Sequence, residues 1–156
     1  MVETVMSVLL VGVLMVAAMN TLGASATAKF KNAKRNQAVL MAEDLMAEIL
    51  RQNYEEPDDP VQFGRELLES GGNRVDWDDV DDYDNWDSSP PEYKDGTAIP
   101  DLDSWERKVQ VKWVNPINLA SVSGSETGVK RMVVSVEHNG VPIFTLTAYR
   151  ANVPNS

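Results

Sequence analysis

Cysteine is absent from this chain and histidine occurs once. The first absence excludes a disulfide framework and any cysteine-ligated metal site, and it leaves the redox compartment open. His138 has no second histidine or cysteine with which to share a metal and no serine motif around it. It stands directly before Asn139-Gly140 and reads as a surface turn residue. Basic residues are also scarce: 14 Lys and Arg against 24 Asp and Glu leave a net charge of −10. That balance argues against nucleic acid, whose phosphates demand a basic face. No phosphate-binding loop is present. The stretch SVSGSETG at 121–128 lacks the glycine spacing and the lysine such loops need, and reads as a flexible link between strands.

Two further absences shape the N-terminus. No charge falls within residues 4–28, and no proline occurs before Pro57. The apolar core VMSVLLVGVLMVAAM, residues 5–19, is preceded by one carboxylate, Glu3. About 20 apolar helical residues rising ~1.5 Å each match the ~30 Å hydrocarbon core of a bilayer. An acid at the mouth of such a segment is costly and calls for a partner or a role. A secretory signal peptide is an alternative, with Ala24-Ser25-Ala26 as its cleavage site, but it would need a basic segment before the apolar core, and there is none. An ordinary single-pass anchor is a second alternative. Lys29, Lys31, Lys34 and Arg35 follow the run and, by the positive-inside rule alone, would leave the C-terminal part in the cytoplasm.

The segment MVETVMSVLLVGVLMVAAMNTL resembles the start of type IV pilin-like proteins, just after the prepilin peptidase site. Within that family it is most similar to the small pseudopilins of type II secretion, especially the I-type minor pseudopilin, and to PilV-like minor pilins. The resemblance covers roughly residues 1–54 and is only architectural beyond them. With Glu3 at the family's glutamate, Met1 falls two residues inside the mature chain, so the family's glycine and aromatic residue are expected upstream. The resemblance implies that Glu3 meets the N-terminal amine of a neighbouring subunit, cancelling two buried charges as helices bundle. It also implies partners: other pilin-like subunits, prepilin peptidase and the inner-membrane assembly machinery. The implied location is the bacterial inner membrane, single pass, with the C-terminal domain periplasmic, then a pseudopilus or pilus.

Helical character continues past the apolar run. Ala38, Met41, Ala42, Leu45, Met46, Ile49 and Leu50 recur at helical spacing, with Lys34, Arg35, Glu43, Asp44, Glu48 and Arg51 on the other side. Residues 3–53 are expected to form one helix, its half at 1–28 in lipid and its half at 29–54 packed on a domain. Pro57 and Pro60 end it. Residues 55–103 form an acidic, loop-rich region punctuated by Gly71-Gly72, Pro90-Pro91, Gly96 and Pro100, with a short helix possible at 61–70. In 105–114, Trp105, Val109, Val111 and Trp113 alternate with Glu106, Lys108, Gln110 and Lys112, which predicts a half-buried strand. A second strand at 129–137 shows Met132, Val134 and Val136 on one face, and Asn139-Gly140 turns the chain into a third at 141–149. The fold class is α+β: a long N-terminal helix on a small antiparallel sheet of three or four strands at 104–156, with 29–156 one globular domain. Periodicity supplies the elements; the pilin-like resemblance supplies their arrangement.

The acidity is concentrated. Residues 55–106 hold 18 Asp and Glu against Arg65, Arg74 and Lys94. Within RVDWDDVDDYDNWD, residues 74–87, the candidate calcium ligands are Asp76, Asp78, Asp79, Asp81, Asp82 and Asp84, since calcium takes six to eight oxygens. The EF-hand order of acids before a glycine is absent. The plainer alternative is a solvated acidic loop whose Trp77, Val80, Tyr83 and Trp86 tuck onto the domain. Trp77, Tyr83, Trp86, Trp105 and Trp113 beside carboxylates could also line a carbohydrate cleft with paired acids. A small single-sheet domain does not hold two acids with the rigidity that a glycosidase needs, and Trp105 and Trp113 fall at core-facing positions. The expectation is a structural subunit without catalytic residues or a required cofactor, calcium being the one ion to consider. Prepilin processing predicts that the native protein extracted from its host's membranes starts with an N-methylated aromatic residue two positions before Met1. Peptide mass spectrometry checks this, and a chain starting near Thr27 would instead mark a cleaved signal.

Overall fold

The computed structural model describes residues 1–56, 63–66, 69 and 73–153. They fall into two compact units, residues 1–36 and 37–156. Helix α1, Val2–Ile49, supplies all regular structure of the first unit and continues into the second. Of its residues, only Ala38, Met41, Ala42, Leu45, Met46 and Ile49 are buried, a stripe at the i, i+3, i+4 spacing of one helix face. The expected end near residue 53 is four residues too late. After Leu50 N–H donates to the Met46 carbonyl, Arg51 and Gln52 turn to i−3 acceptors, Glu48 and Ile49, at 3.2 and 3.1 Å. Such tightening satisfies the last carbonyls of a helix and stops its propagation. Leu50, expected on the apolar stripe, is 43% exposed for the same reason.

The sheet has four strands in the order β1-β2-β3-β4, every pair antiparallel. They are β1 (Asp87–Ser88), β2 (Trp105–Trp113), β3 (Val129–His138) and β4 (Val141–Ala151). Strands two to four lie within one or two residues of their expected bounds; β1, too short for periodicity to reveal, pairs Asp87 with Lys108 and Ser88 with Arg107. The two-residue turn falls where Asn139-Gly140 places it, with φ of 52° and 71°. Positive φ at both positions is the requirement of a type I′ hairpin, which asparagine and glycine meet at least cost. A register irregularity interrupts the β3–β4 ladder between Val136 and Glu137.

One buried cluster joins the helix stripe to Val109 and Val111 of β2, to Met132, Val134 and Val136 of β3, and to Trp77, Val80, Tyr83, Trp86, Leu102 and Trp105. The acidic region therefore supplies core, and its tryptophans are enclosed. Trp113 is half-buried, set edge-on to Phe63 at 4.6 Å. Arg107 holds the inward phase of β2 between Trp105 and Val109 and is buried, a departure from the apolar alternation. Half of the expected helix at 61–70 lies outside the described residues.

The stripe makes a contrast that stability measurements can check. Leu45 is fully enclosed, whereas Leu40 is 62% exposed. Leu45→Ala should destabilise the second unit by about 3 kcal/mol, through lost transfer free energy and a residual cavity. Leu40→Ala should change stability by less than about 0.5 kcal/mol. Urea unfolding in detergent, followed by tryptophan fluorescence, reads both.

Candidate functional site

Glu3 lies in the first turn of α1. Its carbonyl accepts a hydrogen bond from Ser7 Oγ at 2.8 Å, and among the described residues its carboxylate has no ion pair. Around it Val2, Val5, Met6, Val8, Leu9 and Leu10 are all largely exposed. The 18-residue window that makes this helix long and apolar enough to cross a membrane has none of its residues buried.

The six aspartates of the acidic segment have different fates. Asp76 is exposed and makes no side-chain hydrogen bond with a described residue. Asp79 is buried; its Oδ1 accepts the backbone N–H groups of Asp81 at 2.7 Å and Asp82 at 3.2 Å, shaping the 3-10 turn at Asp81–Tyr83. Burial, reinforced by the charges of Asp81 and Asp82, pushes its carboxyl up to about 8 against the opposing pull of Lys130. Asp81 is paired with Lys130 Nζ, both side chains enclosed, and its second oxygen accepts Gly64 N–H at 3.0 Å. Lys130 also donates to the Tyr54 carbonyl. Asp84 accepts Val111 N–H at 2.8 Å and Lys112 Nζ at 2.7 Å. Asp79, Asp81 and Asp84 are thus already committed to backbone or to a cation within the protein.

Asp78 and Asp82 belong elsewhere. Their carboxylates converge with that of Glu69, one oxygen from each lying within 4.8 Å of the others, and Glu69 forms a second such group with Glu56 and Glu66. Asp82 Oδ2 accepts the N–H groups of Asp78 and Asp79, both at 3.1 Å. Burial raises the carboxyl of Asp82, and burial together with the neighbouring Glu66 and Asp82 raises that of Glu69 to about 9. Glu69, Glu66 and Glu56 escaped sequence reasoning because they fall outside the aspartate run; only the overall density of acids from residue 55 onward pointed towards them.

A third polar cluster fixes the region to the rest of the second unit. The fully enclosed Arg74 donates to Glu48 Oε1 at 2.9 Å, to Glu92 Oε1 at 3.1 Å and to the Glu92 carbonyl at 3.0 Å. Its guanidinium lies 4.3 Å from the Trp86 ring centroid. Tyr83 OH donates to the same Glu48 oxygen at 2.9 Å, and Gln52 Nε2 donates to Tyr83 OH at 3.2 Å. Arg107 donates to the Glu92 carbonyl and faces Asp44 at 3.8 Å. Trp77, Tyr83, Trp86 and Trp105 are buried within or beside this cluster, so none offers an exposed platform for a sugar ring. His138 closes β3 half-buried, edge-on to Trp105 at 4.6 Å, which gives the expected turn residue a packing role.

No protein-family model, curated protein or solved structure matches this chain. The long apolar N-terminal helix followed by an antiparallel sheet is compatible with a pilin-like fold.

The Lys130–Asp81 pair supplies a prediction. Removing one member of a buried ion pair strands the other charge, at a cost of about 3–5 kcal/mol. Lys130→Met should therefore destabilise by that amount, and Lys130→Met with Asp81→Asn should recover most of it. A double-mutant cycle from urea midpoints measures the coupling.

Proposed function

We propose that this protein is a minor subunit of a pilin-like filament, a structural component of a type II secretion pseudopilus or a type IV pilus rather than an enzyme. The observation that carries the reading is the first unit: a helix from Val2 whose apolar side chains have no cover, with Glu3 as its lone charge before Lys29. Monomeric soluble proteins rarely expose apolar patches beyond a few hundred Å². A bilayer answers that exposure before assembly, and neighbouring helices answer it afterwards.

Glu3 gives the assembly step a direction. A carboxylate near lipid is destabilising until it is paired or hydrogen-bonded, so a subunit gains stability on meeting a cationic partner among the bundled helices. The same pairing fixes the axial position of one helix against the next. The acidic, sheet-bearing second unit is the further surface through which other subunits are met in this reading. Prepilin peptidase and the inner-membrane assembly machinery are the further partners of this reading, with the second unit on the periplasmic side.

Glu3→Ala separates a filament subunit from an ordinary single-pass anchor. The substitution removes the unpaired acid, so membrane insertion in the host should be unchanged. Co-purification with pilin-like subunits after detergent extraction should fall by at least ~10-fold, equivalent to ~1.4 kcal/mol of lost association free energy. Undiminished co-purification, or the absence of such subunits from the wild-type preparation, would leave a plain anchor.

A further inference from the structure

We propose that Glu69, Asp78 and Asp82, with Glu66 beside them, form a binding site for a hard divalent cation of the calcium class. The convergence of the three carboxylates within 4.8 Å is the first observation. Oxygens that share one calcium ion at 2.3–2.6 Å lie no more than about 5 Å apart, so the spacing admits a common ion.

The second observation is independent of the clustering. Asp82 is 0% exposed; its Oδ2 takes two backbone N–H groups, while Oδ1 is buried without a donor among the described residues. Among the same residues, Glu66 Oε2 is likewise buried without a donor. A buried carboxylate oxygen left without a hydrogen bond is among the costliest groups a fold can enclose. Scarcity of cations does not explain the vacancy of donors. Lys130 is delivered to Asp81 and Lys112 to Asp84, whereas among the described residues no lysine or arginine pairs with Glu66, Glu69, Asp78 or Asp82.

The donor chemistry selects the ion. Carboxylates are hard ligands, the chain has no thiolate, and its one imidazole, His138, lies against Trp105. Calcium accepts irregular sets of carboxylates, carbonyls and waters, whereas magnesium demands a near-ideal octahedron and keeps most of its waters. An ion here would tie Glu66 and Glu69 to Asp78 and to Asp82 of the 3-10 turn. Glu56, grouped with Glu66 and Glu69, lies within reach of the same cluster. This inference is independent of the filament reading and holds equally for an anchored domain.

The test uses the full chain in detergent, stripped with chelator. Trp77 Nε1 donates to the Glu69 carbonyl at 3.3 Å, which sets an indole beside the site and allows terbium(III) emission to be sensitised through tryptophan. Saturable emission displaced by calcium is expected, together with a chelator-reversible rise of ~5–10 °C in unfolding temperature at saturating calcium. Glu69→Gln and Asp82→Asn should each weaken binding at least ~10-fold, and Asp76→Asn should leave it unchanged. If Asp82→Asn fails to fold through loss of its backbone contacts, Glu69→Gln decides alone. No saturable terbium emission and no calcium-dependent stabilisation would overturn the proposal and assign the cluster to a shared proton. Wild-type affinity in Glu69→Gln would overturn it too, by placing the ion on scattered surface acids.

Discussion

Arg74 is the contact on which the middle of the second unit depends. Between the end of α1 and the start of β2, regular structure among the described residues amounts to the 3-10 turn and the two residues of β1. Backbone pairing there is otherwise limited to isolated bridges, Asn53 with Asp79 and Glu92 with Ala98, which alone do not set the course of the chain. A guanidinium does so, by presenting several donors in a fixed plane to acceptors from different segments. Through it, Glu48 at the end of α1, the Glu92 side chain and carbonyl, and the face of Trp86 converge on one group. Enclosing that charge is tolerable because each of its three nitrogens donates to an oxygen. Arg107, one step along, is less complete: among the described residues its Nε is buried without a partner, and burial lowers its pKa.

The two units resolve opposite difficulties. Residues 1–36 carry a long apolar surface with little polarity to shield it, and residues 37–156 carry charge inside a small core. In the second unit, aspartates act as local backbone acceptors: Asp79 and Asp82 satisfy N–H groups that a helix or ladder would otherwise engage. Density of acid is thus a way of building irregular structure in which strands and helices are short. The same density leaves a few carboxylates facing one another, and it is these that give the region a chemical character beyond packing.

How much of this was legible follows from the range of each interaction. The stripe Ala38 to Ile49 and the alternation of β2 and β3 are written at periods of 3.6 and 2, and Asn139-Gly140 announces its turn within two residues. The helix end was misplaced because the stop is made by i−3 hydrogen bonds and by Gln52 reaching the Trp77 carbonyl, neither of which has a signature as plain as a glycine or proline. Alternation puts Arg107 in the inward phase of β2, where its charge is out of keeping with Trp105 and Val109; only Glu92 and Trp86, brought in from a distant segment, make that place intelligible. The site was half visible. Composition pointed to residues 76–84, but Glu69 lies nine residues before Asp78 in the chain, and no local spacing rule connects them.

The sheet's topology also has a consequence in time. β2, β3 and β4 form a meander of neighbouring strands, yet the apolar face they complete belongs to α1 near the start of the chain. Leu45 is made about 90 residues before Val134, its companion in the buried cluster. At ~5–20 residues per second, the helix face emerges from the ribosome ~5–20 s ahead of the strands that will cover it. During that interval the second half of α1 is an uncovered amphipathic helix following a stretch long and apolar enough to cross a membrane, so the chain must be shielded before it has a fold.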